Sequence, residues 1–470
     1  FSLTSEKKPL LVTQHQDLEA LTKEYQDHGY FYLASRTESG SFLALRFNLE
    51  EAPSMNIRGS LGNDPMKLIP QKFPKPPTEP KEQALGAMHD VIAWNHVWDA
   101  VNQRPYTALS RFWNKKKFGG FGVWLNDILY NAWMWSFFDV NRALENLDAV
   151  FAHQTDTGNF PCLVTGNDAW LDRTQPPIAA FVVWSLYEKT GRTDILERYA
   201  TGLMRNLDWW WSKRQLGDTG LLCFGTSLDA GDGLYKGTKL AAKDESTMDN
   251  SPLHDPVPFD EVSGLLLAAD VGVNSMAALD GELLERIFND LGELDTAQQL
   301  GERTVTHKQR IAEWLWDESR GIFANRMING EFVSTLAPTS FFPMAAGIGS
   351  KDQSQRMIHG YLNNPSKFGG EFGLPSVTRD DPTYTDNVYW RGRIWAPLNF
   401  WVWQGLKRQG FIKESGQLAE QSWLLFEKSW KQRLCGENFN AETGEVLDQP
   451  DTDGFYSWGA LLAAMKALEN

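Results

Sequence analysis

Two loop segments of this 470-residue chain carry carboxylates whose surroundings suit acid–base chemistry. Asp249 lies shortly before Pro252, in a stretch that prolines keep from being helical and that is held between structured segments. Glu437 lies far downstream, in a segment of turn residues that ends at Gly444. Two carboxylates from distant loops suggest the hydrolysis of a glycosidic bond, in which one acts as an acid and the other as a base.

Each of these two carboxylates has rivals close to it in the sequence. An Asp ahead of a proline is also typical of an Asx turn, and the residues after Glu437 are also typical of a plain turn. From the residue types alone, the choice of Asp249 and Glu437 therefore stays open. The rivals are Asp244, Glu245, Asp255, Asp260 and Glu261 for the first, and Glu442, Glu445, Asp448, Asp451 and Asp453 for the second.

Net charge and composition narrow the class of ligand. A net charge of −15 argues against a nucleic acid and against an anionic membrane surface, and no apolar run has the length of a transmembrane helix. The ligand is therefore expected to be neutral or nearly so. The chain has 20 tryptophans, and aromatic faces stack on sugar rings, although core packing is expected to account for most of them.

The three cysteines, at 162, 223 and 435, show neither a disulfide framework nor the spacing of zinc ligands. No phosphate-binding glycine loop, nucleophile elbow or nucleotide fingerprint occurs, so no cofactor is expected. The chain has no Asn-X-Ser/Thr acceptor free of proline, which favours a bacterial periplasm or cytoplasm over a eukaryotic secretory compartment. The oligomeric state is left open by the sequence.

Residues 1–80 differ from the rest and are predicted to form a short β-rich extension followed by a proline-rich linker. Residues 30–35 and 41–47 have the composition of strands on either side of a Glu-Ser-Gly turn. Prolines at 70, 74, 76, 77 and 80 then make a stiff linker. The second predicted domain, 81–470, begins with an amphipathic helix near residues 82–102.

Paired helices separated by long loops fill this second domain. Some pairs are joined by short turns such as Gly191-Arg-Thr, whereas the long connections are of a length that is usually functional. Helical hairpins with long loops at one end predict a closed all-α barrel rather than an α-solenoid, which would need a fixed repeat. Helices are predicted near 127–152, 176–190, 193–214, 258–279, 295–316, 352–363, 393–409, 413–433 and 457–469, and a hairpin turn at Asn329-Gly330.

Seven short motifs occur in order along this domain. They are Arg104-Pro-Tyr-Thr-Ala-Leu-Ser-Arg111-Phe-Trp, Trp124-Leu-Asn-Asp127, Gln175-Pro-Pro, Asp249-Asn-Ser-Pro, Tyr389-Trp390-Arg391-Gly392, Glu437-Asn-Phe-Asn-Ala-Glu-Thr-Gly444 and Phe455-Tyr-Ser-Trp458-Gly459. With them, the chain resembles glycoside hydrolase family 63 from about residue 90 to its end. Members of that family are inverting α-glycosidases, so the resemblance implies an all-α main domain that forms an (α/α)6 barrel.

The resemblance implies roles for the two carboxylates. The family's general acid falls on Asp249 and its general base on Glu437. In an inverting mechanism the acid protonates the leaving oxygen, while the base activates a water molecule on the opposite face of the sugar. The acid needs a raised pKa, which a second carboxylate or a dry setting beside Met248 would supply. The two carboxyl groups are then expected about 6.5 to 9.5 Å apart.

The resemblance also implies sugar-binding residues. Asp127 corresponds to an acid that hydrogen-bonds the sugar in subsite −1, although an Asp at a helix start is often just an N-cap. Asn126 departs from the family pattern, which often has Trp there, so a local difference in the sugar pocket is expected. Gln175 is expected to donate to a sugar hydroxyl or only to precede a helix. The remaining candidates are Trp124, Trp390 and Trp458 as pocket walls or core residues, and Arg391, which is expected to pair with a nearby carboxylate or to orient Glu437.

The substrate implied by the resemblance is a short oligosaccharide or small glucoside, from which an exo-acting enzyme removes a terminal α-linked glucose. A second branch of the family hydrolyses mannosylglycerate or glucosylglycerate, and a glycerate would need a cation such as Arg111, Arg173 or Arg379. A carbohydrate-binding protein on the same barrel would not need both carboxylates, and a phosphorylase would not need a base.

The acidic stretch from Asp229 to Lys236 faintly resembles a calcium loop that some family members carry. It lacks the regular alternation of oxygen ligands and the closing Glu. A structural calcium ion is therefore the weaker alternative to the expectation of no metal.

Overall fold

The chain divides into two units, Phe1–Pro77 and Thr78–Asn470. The computed structural model describes residues 2–28, 40–48, 55–60, 77–111, 121–166 and 168–469. No helix in these ranges is long and apolar enough to cross a lipid bilayer.

Short antiparallel strand pairs characterise the first unit. Ser2–Ser5 pairs with Ile57–Ser60, and Leu11–His15 pairs with Phe42–Arg46, which lies where the sequence predicts a strand over 41–47. A helix that the sequence analysis does not predict, Leu18–His28, follows the second strand. The strand predicted over 30–35 and the linker prolines at 70, 74 and 76 lie outside the described residues.

A ring of inner helices, each backed by an outer helix, builds the second unit. Every residue of the inner helix Leu125–Trp135 is buried, whereas outer helices such as Thr193–Lys213 bury one face only. The inner helices are Leu125–Trp135, Ala179–Thr190, Val271–Asp290, Phe342–Ala345, Ala396–Arg408 and Leu461–Leu468, and the outer ones are Val140–Phe151, Thr193–Lys213, Leu294–Trp314, Lys351–Met357, Ile412–Trp430 and Pro80–Asn95.

The ring closes between its last and first inner helices. Neighbouring inner helices contact one another in chain order, and the turn Ser457–Ala460 before the last helix contacts Leu125–Trp135. This arrangement is the (α/α)6 barrel, and it confirms the predicted fold class. The hairpin turn predicted at Asn329-Gly330 is also confirmed, since Arg326 and Phe332 form an antiparallel bridge across it.

One predicted helix, 127–152, is wrong because it contains the start of a second helix. The side chain of Asp139 accepts a hydrogen bond from the backbone N–H of Asn141 at 2.9 Å and caps a new helix there. The segment therefore forms two helices, Leu125–Trp135 and Val140–Phe151, with a break between them. One of them belongs to the inner ring and the other to the outer ring.

The helix predicted over 258–279 is wrong at its start for the same reason. The Asp270 side chain accepts from the backbone N–H of Val273 at 3.0 Å, so the helix runs over Val271–Asp290. The preceding residues form strands instead, with Phe259–Asp260 paired to Leu265–Leu266.

The helix predicted over 82–102 ends early. It covers Pro80–Asn95, and His96–Asp99 pairs with Arg104–Thr107 in a hairpin. Valine and tryptophan in the first of these strands suit an extended chain better than a helix.

The long loops share one end of the barrel, because each leads from an outer helix to the next inner helix. Two of them also contact each other there, because Ile394 bridges Phe439. Asp249 and Glu437 both lie in these loops. The three cysteines, in contrast, are all buried and free.

Candidate active site

The loop that carries Asp249 is fixed at both ends. Before it, the carboxylate of buried Glu245 accepts four hydrogen bonds, from Arg214 Nε (2.6 Å) and Nη2 (2.9 Å) and from the backbone N–H groups of Thr174 (3.0 Å) and Gly225 (2.7 Å). After it, a 3-10 turn begins at Pro252. Asp249 therefore has a defined position although it lies in a loop.

Burial favours the protonated form of Asp249. It raises the pKa of this carboxyl to about 7, with the charge of Glu437 as the next cause in the same direction. Within the described residues, the carboxyl of Asp249 accepts a hydrogen bond from no side chain. An Asp in this setting keeps its proton near neutral pH, as a general acid must.

Glu437 is more deeply buried and is held by two donors. Its side chain is 1% exposed; Oε1 accepts from the Tyr389 hydroxyl at 3.0 Å and Oε2 from the backbone N–H of Asp453 at 3.1 Å. Its own backbone N–H donates to the Asp453 carbonyl at 2.9 Å, and Trp458 Nε1 donates to its carbonyl at 2.9 Å. The carboxylate is thus fixed in place and orientation.

The two carboxyl groups share one electrostatic environment. Burial raises the pKa of Glu437 to about 8, while the bonds from Asp453 and Tyr389 act to lower it. Like charges in one site resist full ionisation, so the pair retains a proton at neutral pH. Because Glu437 accepts from donors at both oxygens and Asp249 does not, we assign the charge to Glu437 and the proton to Asp249.

Asp127 lies in the first turn of an inner helix and is not its N-cap, because the helix begins at Leu125 and Trp124 takes the cap position. Burial raises the pKa of Asp127 to about 7, and a hydrogen bond from the Tyr456 hydroxyl opposes that shift. Its Oδ1 is buried and has no hydrogen-bond partner in the part of the chain that the structure describes. This oxygen is therefore able to accept from a ligand hydroxyl.

Gln175 supports the start of that helix. Its Oε1 accepts from the backbone N–H of Asn126 at 2.8 Å, which satisfies one of the free donors at the helix N-terminus. Gln175 is predicted from the sequence either to contact a sugar or only to precede a helix. The structure shows that its oxygen is used on the helix of Asp127 and not on the helix that follows Gln175.

Three tryptophans pack beside Glu437. The rings of Trp390 and Trp395 stack with centroids 3.5 Å apart and planes 7° apart, and Trp458 meets Trp390 edge-on at 6.3 Å. Trp390 and Trp458 are 1% and 6% exposed, so this cluster is buried. Trp390 and Asn126 also border a cavity of about 40 Å³. Asn126, the position that departs from the family pattern, therefore lines this cavity.

Trp124 lies on the side of Asp127. It forms a short strand pair with Leu163 and meets the Trp170 ring edge-on at 5.3 Å. Trp124 is partly exposed.

Arg391 binds carboxylates other than Glu437. It pairs with Asp386 at 2.7 Å and with Asp255 at 2.8 Å, as the salt-bridge alternative predicts. The other alternative, that it orients Glu437, is not seen, because the guanidinium is used on these two acids and Tyr389 holds Glu437 instead. Arg391 therefore links the loop of Asp249 to the segment that contains Tyr389.

The three arginines considered for a glycerate all have partners. Arg173 pairs with Asp172 at 2.8 Å and Asp244 at 3.3 Å, and it is the one whose charge acts on Asp249. Arg111 donates to the carbonyls of Trp94 and His96, and Arg379 pairs with Glu442.

The acidic stretch considered for calcium uses one of its carboxylates elsewhere, since Asp229 pairs with Lys213 at 3.3 Å. Among the residues that the structure describes, no cluster of three or more His, Cys, Asp or Glu side chains could hold a metal ion. A structural calcium ion at this stretch stays the weaker alternative, and no role is assigned to a metal.

Four residues of the site are missed by sequence reasoning. Tyr389, Asn250 and Tyr456 lie inside the seven motifs, and that membership is the signal that could have found them. Asp453 is considered as a rival acid, whereas its backbone N–H is the group that contacts Glu437. A backbone contact of this kind leaves no trace in the residue type.

Comparison with known proteins gives the class of this chain. Residues 121–459 match the family described as "Mannosylglycerate hydrolase MGH1-like glycoside hydrolase domain", which defines a glycoside hydrolase. The chain belongs to glycoside hydrolase family 63. The resemblance noted from the seven motifs is thereby confirmed.

Individual relatives are distant. The mannosylglycerate hydrolase of Thermus thermophilus is 24% identical over 419 residues, which cover 72% of this chain and 92% of that protein. The cytosolic neutral trehalase of Kluyveromyces lactis is 33% identical over 129 residues, 26% of this chain and 17% of the trehalase. An uncharacterised Borreliella burgdorferi protein is 24% identical over 275 residues, so the chain spans about half (51%) of that relative.

Solved structures show the same fold. The family 63 mannosylglycerate hydrolase of Thermus thermophilus in complex with glucose aligns with a TM-score of 0.66 at 20% identity, over 81% of this chain and 99% of that one. The neutral trehalase of Saccharomyces cerevisiae aligns with a TM-score of 0.61 at 16% identity, over 81% of this chain and 79% of that one.

Proposed function

We propose that this chain is an inverting, exo-acting α-glycosidase that removes a terminal α-linked glucose from a short oligosaccharide or a small glucoside. The observation that supports this most is the contrast between two carboxyl groups in one site. Asp249 is partly buried and has no side-chain donor among the described residues, whereas Glu437 accepts from Tyr389 and Asp453. Environments that differ in this way separate an acid from a base.

In the proposed reaction, Asp249 gives its proton to the glycosidic oxygen as the bond to the anomeric carbon breaks. Glu437 accepts a proton from a water molecule that attacks the opposite face of the same carbon, so the configuration inverts. Afterwards Asp249 is ionised and Glu437 is protonated, and exchange with solvent restores both. The carboxyl groups are expected about 6.5 to 9.5 Å apart, which leaves room for that water.

The depth of the site favours action at a chain end. Glu437 and Asp127 are 1% and 2% exposed, so a sugar must enter the site fully to reach both. A terminal residue can do this, while the middle of a polysaccharide cannot. Asp127 Oδ1 is the proposed acceptor for a hydroxyl of that sugar, with Trp124, Trp390 and Trp458 around it.

Mannosylglycerate or glucosylglycerate hydrolysis is the second candidate. The matched family and the Thermus thermophilus relative carry the name of mannosylglycerate hydrolases. A glycerate would add a negative charge to a site that holds Asp127, Asp249 and Glu437, so it needs a cation. Arg173 is the proposed partner, because its charge acts on Asp249 and its buried Nε has no acceptor among the described residues.

Proton NMR of the anomeric region during digestion tests both candidates. The panel contains α-glucosyl disaccharides, glucosylglycerate and mannosylglycerate. We expect the β-anomer first from the true substrate, and a loss of about 10²-fold to 10⁴-fold in Asp249→Asn and Glu437→Gln. The matched controls are Asp451→Asn and Glu442→Gln, two exposed rivals whose loss should leave the rate unchanged.

Each other outcome contradicts the proposal in its own way. The α-anomer first would mean retention and would overturn the roles of Asp249 and Glu437. Release that requires inorganic phosphate would indicate a phosphorylase. Binding of a sugar without any product from the whole panel would indicate a carbohydrate-binding protein on this barrel.

A further inference from the structure

A three-residue segment, 388–390, connects the proposed acid to the proposed base. Asn250, which directly follows Asp249, accepts from the backbone N–H of Trp390 at 2.8 Å and donates to the Val388 carbonyl at 3.4 Å. Between these two contacts lies Tyr389, whose hydroxyl donates to Glu437 at 3.0 Å. The chain next to one carboxyl group thus reaches the other through a single side chain.

Tyr389 is held in an unusual backbone conformation to make that contact. Its φ is 52°, in the left-handed region that a non-glycine residue seldom adopts. Trp395 Nε1 donates to the Tyr389 carbonyl at 2.9 Å, and the two rings meet edge-on at 4.9 Å. Such conformations persist only where the surroundings fix them, and they are concentrated at functional sites.

We propose that Tyr389 is the positioning residue of the base, and that Asn250 sets the place of Tyr389 relative to the acid. Tyr389 orients the Glu437 carboxylate toward the attacking water and keeps it ionised by donating to it. Asn250 ties segment 388–390 to the Asp249 loop, so the same contact fixes acid and base relative to each other. This inference rests on the proposed glycosidase function.

The charges around Glu437 make this donor important. Asp127 on its inner helix, Asp453 on the loop that also carries Glu437, and Asp249 on its own loop all face it as acids, and burial is the largest cause that raises the pKa of Glu437. Arg393 is the positive group whose interaction with Glu437 acts the other way, and Tyr456 is the second phenol close to it. The hydroxyl of Tyr389 lowers the pKa of Glu437, so its removal must raise that pKa.

Tyr389→Phe and Asn250→Leu test the inference on the substrate that the wild-type chain hydrolyses. A hydrogen bond to a charged group contributes about 1.5 to 3 kcal/mol, so we expect Tyr389→Phe to lose roughly tenfold to a hundredfold in kcat with little change in KM. The acidic limb of its pH profile should move to higher pH by about one unit or more, since Glu437 then ionises later. Asn250→Leu should show the same two changes at smaller size.

Tyr361→Phe is the matched control. The Tyr361 hydroxyl donates to the Arg320 carbonyl at 2.8 Å, far along the chain from both carboxyl groups, and its loss should leave the profile in place. An unshifted acidic limb in Tyr389→Phe would overturn the inference, even if kcat fell. If that variant does not fold, Asn250→Leu decides in the same way.

The inference and the proposed function fail differently. A wild-type chain that releases no sugar from the panel would contradict the function itself. A wild-type chain that inverts α-glucosides, together with a Tyr389→Phe variant of unchanged kcat and pH profile, would leave the function intact and remove only the role of Tyr389.

Discussion

Glu245 and Asp249 lie on the same loop, yet the protein treats their carboxyl groups in opposite ways: Glu245 is fully buried, whereas Asp249 is only partly buried. Glu245 has four donors, two of them on the guanidinium of Arg214, whereas Asp249 has neither a side-chain donor nor an ion pair among the described residues. Burial raises the pKa of both. The carboxyl group with many compensating contacts is therefore the structural one, and the one without them is the proposed acid.

Replacing either of these two carboxyl groups by an amide gives the largest expected effects. Asp249→Asn should lower the hydrolysis rate by about 10²-fold to 10⁴-fold and leave the melting temperature unchanged, because the amide replaces a carboxyl group that is already neutral. Glu245→Gln should lower the free energy of unfolding by about 3 to 5 kcal/mol, because it leaves Arg214 buried without its anion. Thermal unfolding and initial rates of both variants check this. A stable Glu245→Gln with an unstable Asp249→Asn would reverse the comparison.

Asp280 extends the comparison to a buried carboxyl group outside the site. It accepts only from the Ala180 backbone N–H at 3.0 Å among the described residues, and burial raises its pKa to about 7. Because the folded state binds this proton more tightly than the unfolded state, the stability it contributes is fully present below about pH 4 and is lost as the pH rises through about 7.

Asp280→Asn should remove that dependence. The amide oxygen still accepts from Ala180, but the amide does not titrate. The difference in unfolding free energy between about pH 4 and about pH 8 should therefore shrink by up to about 4 kcal/mol. Chemical denaturation at several pH values measures it, with exposed Asp295→Asn as the control. An unchanged slope would mean that Asp280 is ionised in the folded chain without cost.

Arg391 gives the smallest expected effect. Its pairs with Asp255 and Asp386 are partly exposed, and such pairs contribute at most about 1 kcal/mol each. Arg391→Ala should therefore lower the melting temperature by a few degrees and kcat less than tenfold. The difference from the wild type should decrease in about 0.5 M salt. A loss of stability as large as that expected for Glu245→Gln would show that the exposed ion pairs of Arg391 contribute as much as the buried pair of Glu245 and Arg214.

The barrel itself could be predicted from the sequence, because its helices have clear apolar periodicity. The helix predicted over 193–214, for example, is found at Thr193–Lys213. The errors at Asp139 and Asp270 have a common cause. Each acid caps a helix inside a long apolar run, and the run hides the cap. An Asp followed directly by Val is the sequence signal that the two caps share.

The site is harder to predict than the fold. The motifs single out Asp249 and Glu437, but the support of Glu437 depends on Tyr389, Asp453 and Trp458, whose contacts arise only when distant loops meet. The sequence suggests Arg391 as the residue that orients Glu437, whereas in the structure Tyr389, two residues earlier, makes this contact. Sequence identifies which segments meet, while the atoms that touch follow from backbone angles such as the φ of 52° at Tyr389.

The burial of all three cysteines has a practical consequence. Burial raises the pKa of each thiol, so none is expected to form a thiolate within reach of a reagent. A cysteine introduced at an exposed position of the loop around Asn387, such as Thr385, would then be the group that a maleimide dye labels. Movement of the segment next to the base could be followed by fluorescence in a chain that is otherwise native.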